Sequence, residues 1–244
     1  MRASGQSRSR VRTFPDAEAL GEALADEILA RYARSDGTFL LGCPGGRSLR
    51  TTYVALAARG ADLERLAVVT MDEYIGAPAA AHYSVRRFAF EEIARPLGLE
   101  PEQVWLPEPA FPDAYDERIA AAGGIDLFLL ASGATDGHVA FLPPGAPRDG
   151  RTSVLAIAES TRQDNLVTFP EFGSLDEVPT HGVSVGLGTI AAARTLRIAI
   201  HGADKRAAAA RLLALDEFDP SWPASIVHDH HDAEIWLDEA ASPA

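Results

Sequence analysis

Asp136, Gly137 and His138 stand just past a long apolar run, in the stretch IDLFLLASGATDGHVAFLPPG that begins at Ile125. An acid two residues before an imidazole can hold one ring tautomer and leave the other nitrogen free to move a proton. Gly137 lets the backbone bend so that both side chains point into one crevice. A second apolar run, LAVVTM, ends at Asp72-Glu73-Tyr74. A carboxylate in such a place becomes a general base if desolvation raises its pKa toward neutrality. A third run leads into Cys43-Pro44-Gly45-Gly46-Arg47-Ser48. At a strand-to-helix junction, Gly45 and Gly46 allow close approach to backbone N–H groups, Arg47 and Ser48 add donors, and the helix dipole favours an anion such as phosphate. Lys205, the one lysine in the chain, follows a fourth run and can meet a phosphate as a point charge. Taken singly, each has an ordinary reading as an Asp-Gly turn, a capping acid, a Gly-rich turn or a solvated lysine.

These groups need a scaffold that brings four strand ends together. Helical spacing over residues 15–34 follows Asp16, a candidate N-cap, and a strand is expected at 38–42. A helix at 49–59, a strand at 66–71, a helix at 84–95, a short strand at 104–106 and a helix at 113–122 lead into the strand at Ile125. Beyond it come a strand at 152–158, a strand end turning into a helix at 182–188, a strand at 195–202, an Ala-rich helix at 205–215 and a last strand at 233–238. Alternation of this kind predicts a Rossmann-like α/β three-layer sandwich, a mostly parallel sheet covered by helices on both faces. Open sheets of this class bind ligands at the carboxyl ends of their strands, where these groups lie.

The 244 residues suit one large domain, expected over 13–244 behind a flexible extension, the basic, Ser-rich 1–12. A formal charge of −13 argues against nucleic acid or an anionic membrane as partner and requires any anionic substrate to find a local positive pocket. The single cysteine, Cys43, excludes an internal disulfide and fits a reducing cytoplasm. No apolar run approaches the roughly 20 residues of a membrane span, and the N-terminus lacks the apolar core of a secretory signal.

The segments LGCPGGRSLRTTY, VVTMDEYIG, IDLFLLASGATDGHVAF, VPTHGVSVGLGTI, IAIHGADKRAAAA and PASIVHDHHDAEIWLDEAA, in this order, resemble the glucosamine-6-phosphate deaminase/isomerase and 6-phosphogluconolactonase superfamily. The likeness runs from about Thr38 to the C-terminus, and MDEY with VSVGLGTI leans toward the deaminase branch. It implies that Asp72 shuttles a proton between C2 and C1 of an opened amino sugar, while His138, oriented by Asp136, assists ring opening. Gly45, Gly46, Arg47, Ser48 and Lys205 would hold the phosphate, with no metal or organic cofactor. The products would be fructose 6-phosphate and ammonia; a homo-oligomer is left open. The same-fold alternative is hydrolysis of a phosphorylated sugar lactone, with His138 activating water, and a third is a non-catalytic sugar-phosphate-binding protein.

Three departures from the deaminase pattern stand out. The relay Glu after DGHIAF is replaced by Pro143, and the Arg two residues after Asn165 by Val167, which makes Arg162 and Arg47 candidates for the missing charge. The turn before DGH carries Ser132 and Ala134 where glycines are usual. Other chemistry-bearing residues have plainer readings. His228, Asp229, His230, His231 and Asp232 form a polar turn more readily than a metal site. Cys43 is a small core residue and Arg86-Arg87 a surface pair. His82, His181 and His201 fall in no pattern.

Overall fold

Along the central strands, consecutive apolar side chains face opposite sides of a sheet. Leu40, Phe128 and Leu130 join one core, and Phe39, Leu41, Leu127 and Leu129 the other. The computed structural model describes residues 10–243. In chain order the strands are β1 Arg10–Phe14, β2 Phe39–Cys43, β3 Leu66–Thr70, β4 Asp72–Tyr74, β5 Val104–Trp105, β6 Leu127–Ala131, β7 Ser153–Ala156, β8 His181–Ser184, β9 Leu196–Ile200 and β10 Ala233–Asp238. The helices are α1 Ala17–Tyr32, α2 Arg50–Ala58, α3 Val85–Phe88, α4 Arg95–Leu97, α5 Pro112–Ala121, α6 Glu159–Thr168, α7 Leu187–Ala191 and α8 Arg206–Leu213. A π-helical stretch, Ala89–Ala94, makes α3 and α4 continuous.

Seven strands form one parallel sheet in the order β1-β10-β9-β6-β2-β3-β5. Leu20, Leu24 and Ile28 of α1 with Tyr53 and Leu56 of α2 cover one face. Tyr115 and Ile119 of α5, Leu187 and Ile190 of α7, and Ala208 and Leu212 of α8 cover the other. The expected three-layer α/β sandwich is therefore the fold. From β2 the chain steps outward through β3 to β5, then returns to the other side of β2 with β6 and continues to β9 and β10. The sheet thus reverses its winding between β2 and β6, and a crevice opens at their carboxyl ends.

Three features differ from the expectation. Residues 10–12, assigned to a flexible extension, belong to β1, which pairs with β10 in the register Arg10↔Glu234. Residues 1–9 of that extension lie outside the described residues. The RVRTF strand carries no apolar run because it is an edge strand; its hold on the sheet comes from the ladder and from Arg12, whose guanidinium lies 4.3 Å from the Trp236 ring. Second, β4, β8 and β7 form a separate antiparallel sheet. After Thr70 the chain leaves the large sheet at Met71, whose carbonyl accepts from Val185 N, and Asp72 pairs opposite Ser184. Third, α6 was not anticipated. Only Thr161 of its ten residues is buried, so it has no hydrophobic stripe to betray it.

Candidate active site

A cavity of about 270 Å³ lies at the carboxyl ends of β2, β3, β6 and β9. Gly45, Gly46, Arg47, Ser48, Asp72, His138 and Lys205 all line it. The β2 turn is anchored from behind: the Tyr53 hydroxyl donates to the Pro44 carbonyl at 2.9 Å, and His201 Nε2 lies 2.9 Å from the Ser48 carbonyl. Arg47 bonds Asp204 at 3.0 Å, which ties this turn to the loop after β9. Lys205 reaches inward and donates from Nζ to the Ser132 carbonyl at 2.6 Å. Burial lowers its pKa, a pull opposed first by the charge of Asp164 and reinforced by Arg47. An otherwise acidic molecule has here gathered two cations beside a strand-to-helix turn.

Asp72 sits where the two sheets meet and is buried, at 7% exposure. No side-chain hydrogen bond from the described residues compensates its charge. Its neighbour Glu73 has a different task. One carboxylate oxygen accepts from Tyr74 N and Val85 N, the other from Ser84 Oγ and Arg86 N, so Glu73 closes the N-terminal end of α3. Burial first, and the Glu73 charge second, push the Asp72 carboxyl up to about 8. A carboxylate tuned to that value is suited to accept a proton from carbon near neutral pH.

The β6 loop shows the opposite design. His138 Nδ1 lies 2.7 Å from Asp136 Oδ1, which also accepts from the His138 backbone N–H at 3.0 Å. Ser160 and Thr161 of α6 donate to the other oxygen. Burial raises the Asp136 carboxyl, but the His138 and Ser160 hydrogen bonds and the imidazole charge outweigh it and hold the group well below the usual carboxylate range. With Nδ1 engaged, Nε2 is the nitrogen left for proton transfer. Gly133 and Gly137 make the loop geometry possible. A Cβ on Gly133 would fall 2.1 Å from His138 Nδ1, and Gly137 has φ +68° with Trp222 packed against its open side. The adjoining Ala140, also lining the cavity, holds φ 51°, a left-handed strain at a non-glycine position.

The family profile described as glucosamine-6-phosphate isomerases/6-phosphogluconolactonase matches residues 15–236. The chain belongs to this family. It is 37% identical over 230 residues to a glucosamine-6-phosphate deaminase of Pseudarthrobacter chlorophenolicus, which covers 91% of this chain and 87% of that one. The deaminase of Streptomyces avermitilis is 36% identical over 238 residues, covering 93% and 89%. A solved structure of a monomeric glucosamine-6-phosphate deaminase superposes with a TM-score of 0.88 at 25% identity, covering 95% of this chain and 98% of that one. The 6-phosphogluconolactonase of Thermotoga maritima has the same fold, with a TM-score of 0.71 at 19% identity over 94% and 98% of the two chains.

Within this family pocket, Asp136 stands behind His138 rather than in the cavity wall. Arg162 is placed elsewhere: its guanidinium donates to the carbonyls of Leu175 and Val178, which fastens the segment after α6 and keeps the side chain out of the cavity wall. Helical geometry explains the miss, because Arg162 points away from the face of α6 that carries Ser160, Asp164 and Thr168 at i, i+4 and i+8. That polar face, with Asn165, is the part of the site that sequence reasoning overlooked; the i, i+4 spacing was its one available signal. Val167 lines the cavity as a largely exposed apolar residue, and Pro143 is not among the lining residues.

Asp136, His138 and Asp164 each present a donor atom within 4.8 Å of the others, a spacing a cation can bridge. Their atoms already meet N–H and O–H donors, with Asp164 accepting from Ala134 N and Thr135, so the cluster is a hydrogen-bonded network. The His228–Asp232 stretch is likewise structural. His228 and His230 bond the carbonyls of Leu212 and Ala193, Asp229 pairs with Arg148, and Asp232 faces Arg31 and Arg197. Burial pushes the Cys43 thiol up to about 12, which suits a core residue and not a nucleophile. Arg86 and Arg87 are exposed and outside the cavity.

Proposed function

We propose that this chain is a glucosamine-6-phosphate deaminase, an aldose–ketose isomerase that also releases ammonia. The observation that carries the reading is Asp72, a buried carboxyl raised to about 8 in the wall of a cavity that also holds Arg47 and Lys205. Removal of a proton from carbon needs such a base; hydrolysis of a lactone does not. The identity to curated deaminases over most of the chain supports the same choice.

In this mechanism the β2 turn and Lys205 grip the phosphate, and Arg47 exchanges Asp204 for it. His138 Nε2 carries a proton from the anomeric hydroxyl to the ring oxygen, and Asp136 stabilises the imidazolium that forms in between. Asp72 then takes the C2 proton while the C2 ammonium gives one of its protons to O1, forming a neutral enolamine, and Asp72 returns its proton to C1. C2 is left as an iminium; water adds there, ammonia departs, and the C2 carbonyl of fructose 6-phosphate remains. No metal or organic cofactor enters these steps. The acidic surface and single buried cysteine suit a cytoplasmic enzyme.

A second reading keeps the same pocket for 6-phosphogluconolactone, with His138 activating water and Asp72 idle; Pro143 and Val167, which replace deaminase residues, favour it. Ammonia and fructose 6-phosphate production from glucosamine 6-phosphate, run beside hydrolysis of the lactone, separates the two. Turnover of the amino sugar that disappears in Asp72→Asn is the expected result. Lactone hydrolysis that survives Asp72→Asn and disappears in His138→Ala would install the second reading, and binding without turnover of either compound a sensor.

A further inference from the structure

Asp164 reaches the cavity from α6, and nothing in the mechanism above uses it. Its Oδ2 accepts from Ala134 N at 2.8 Å and Thr135 N at 3.3 Å, and its Oδ1 from Thr135 Oγ1 at 2.8 Å. The same Oδ2 lies 3.8 Å from His138 Nδ1, too far for a hydrogen bond but close enough for a strong charge interaction in a partly desolvated pocket. Asp164 and Lys205 line the same cavity. We infer that Asp164 is a positioning residue, a second counter-ion of His138 and the staple of the loop that carries it.

The arrangement has a chemical consequence. When Nε2 takes a proton from the sugar, the imidazolium faces two carboxylates, Asp136 and Asp164, and not one. Position 143, where deaminases carry the relay acid, holds proline; Asp164 supplies a second carboxylate from a different element. A rigid helix fixes it, with Ser160 one turn earlier holding Asp136. Among the described residues, the carboxylates within ion-pair distance of the His138 ring are Asp136 and Asp164, and the cations lining the same cavity are Arg47 and Lys205.

The role in turnover rests on the deaminase reading, but the charge relation does not. The test is therefore the titration of the His138 ring by NMR, with its resonance assigned by comparison with His138→Gln, in wild type, Asp164→Asn, Asp164→Ala and Asp164→Glu. Asp164→Asn keeps an oxygen for Ala134 N while removing the charge. Its His138 midpoint should fall by about one unit, and that of Asp164→Glu should stay near wild type. On glucosamine 6-phosphate, kcat of Asp164→Asn should drop about tenfold, the equivalent of that unit, with KM changed less. An unchanged midpoint in Asp164→Asn, with activity lost only in Asp164→Ala, overturns the counter-ion role and reduces Asp164 to a staple. A shifted midpoint in a protein that releases no ammonia leaves the inference standing and removes the deaminase reading.

Discussion

Two carboxylates, one in the cavity wall and one behind it, are held by opposite means. At the sheet-to-sheet junction, Asp72 is buried with no side-chain hydrogen bond from the described residues, and its pKa rises to about 8. At the β6 loop, Asp136 is met by His138, Ser160 and Thr161, and its pKa falls. Environment divides one residue type into a proton acceptor and a fixed anion. The junction achieves this by desolvating the carboxyl beside a second acid, which disfavours its charged form; the loop does it with hydrogen bonds that favour the charged form.

The sharpest way to break this contrast is Asp72→Asn. If Asp72 is the base, kcat for isomerisation should fall by at least about 10³-fold while inorganic phosphate still binds; steady-state rates and a phosphate titration decide it. Next in size is Asp136→Asn, which frees the imidazole to adopt the wrong tautomer. A loss in kcat on the order of 10² is expected, with little change in KM. Equal effects of these two substitutions on KM would instead make both residues substrate ligands. Lys205→Ala removes a charged contact worth about 1.5–3 kcal/mol and should raise KM about tenfold to a hundredfold, leaving kcat nearly intact. An unchanged KM would take Lys205 out of the phosphate site.

The smallest effect is on stability. The folded pKa of Asp72 lies above its ordinary 3.8, so the fold prefers its neutral form. That preference is fully present below 3.8, is lost steadily as pH rises to about 8 and is gone above it. Asp72→Asn escapes the penalty, so its Tm should exceed that of wild type by a few degrees (about 2–4 °C per kcal/mol at this size) at pH 8, with the gap closing toward pH 4. Asp136 carries the reverse sign: its ionised form stabilises the fold above 3.8, and acid removes that contribution. Thermal melts of Asp136→Asn should therefore show a deficit that narrows as pH falls below 4.

Legibility followed the hydrophobic pattern. The parallel strands announce themselves as short apolar runs, and the residues that follow them, Gly45 to Ser48, Asp72, Asp136 to His138 and Lys205, were visible because strand ends are where such sheets keep their ligands. Elements without an apolar face were invisible: β1, with its exposed RVRTF, and α6, whose inward face is Ser160, Asp164 and Thr168. Arg162 was misplaced for the same reason, since an unrecognised helix assigns no directions to its side chains.

What the amino-acid order determined alone is therefore the layer architecture and the identity of the chemical groups at four strand ends. Burial patterns and turn chemistry are local and periodic, and both can be seen in a single chain. Only the tertiary structure decided that Asp72 lies buried between two sheets with no side-chain hydrogen bond from the described residues, that Asp136 is the hydrogen-bonded one, and that Asp164 stands beside His138. Charge states depend on desolvation and on neighbours from distant segments, and neither quantity exists until those segments have packed.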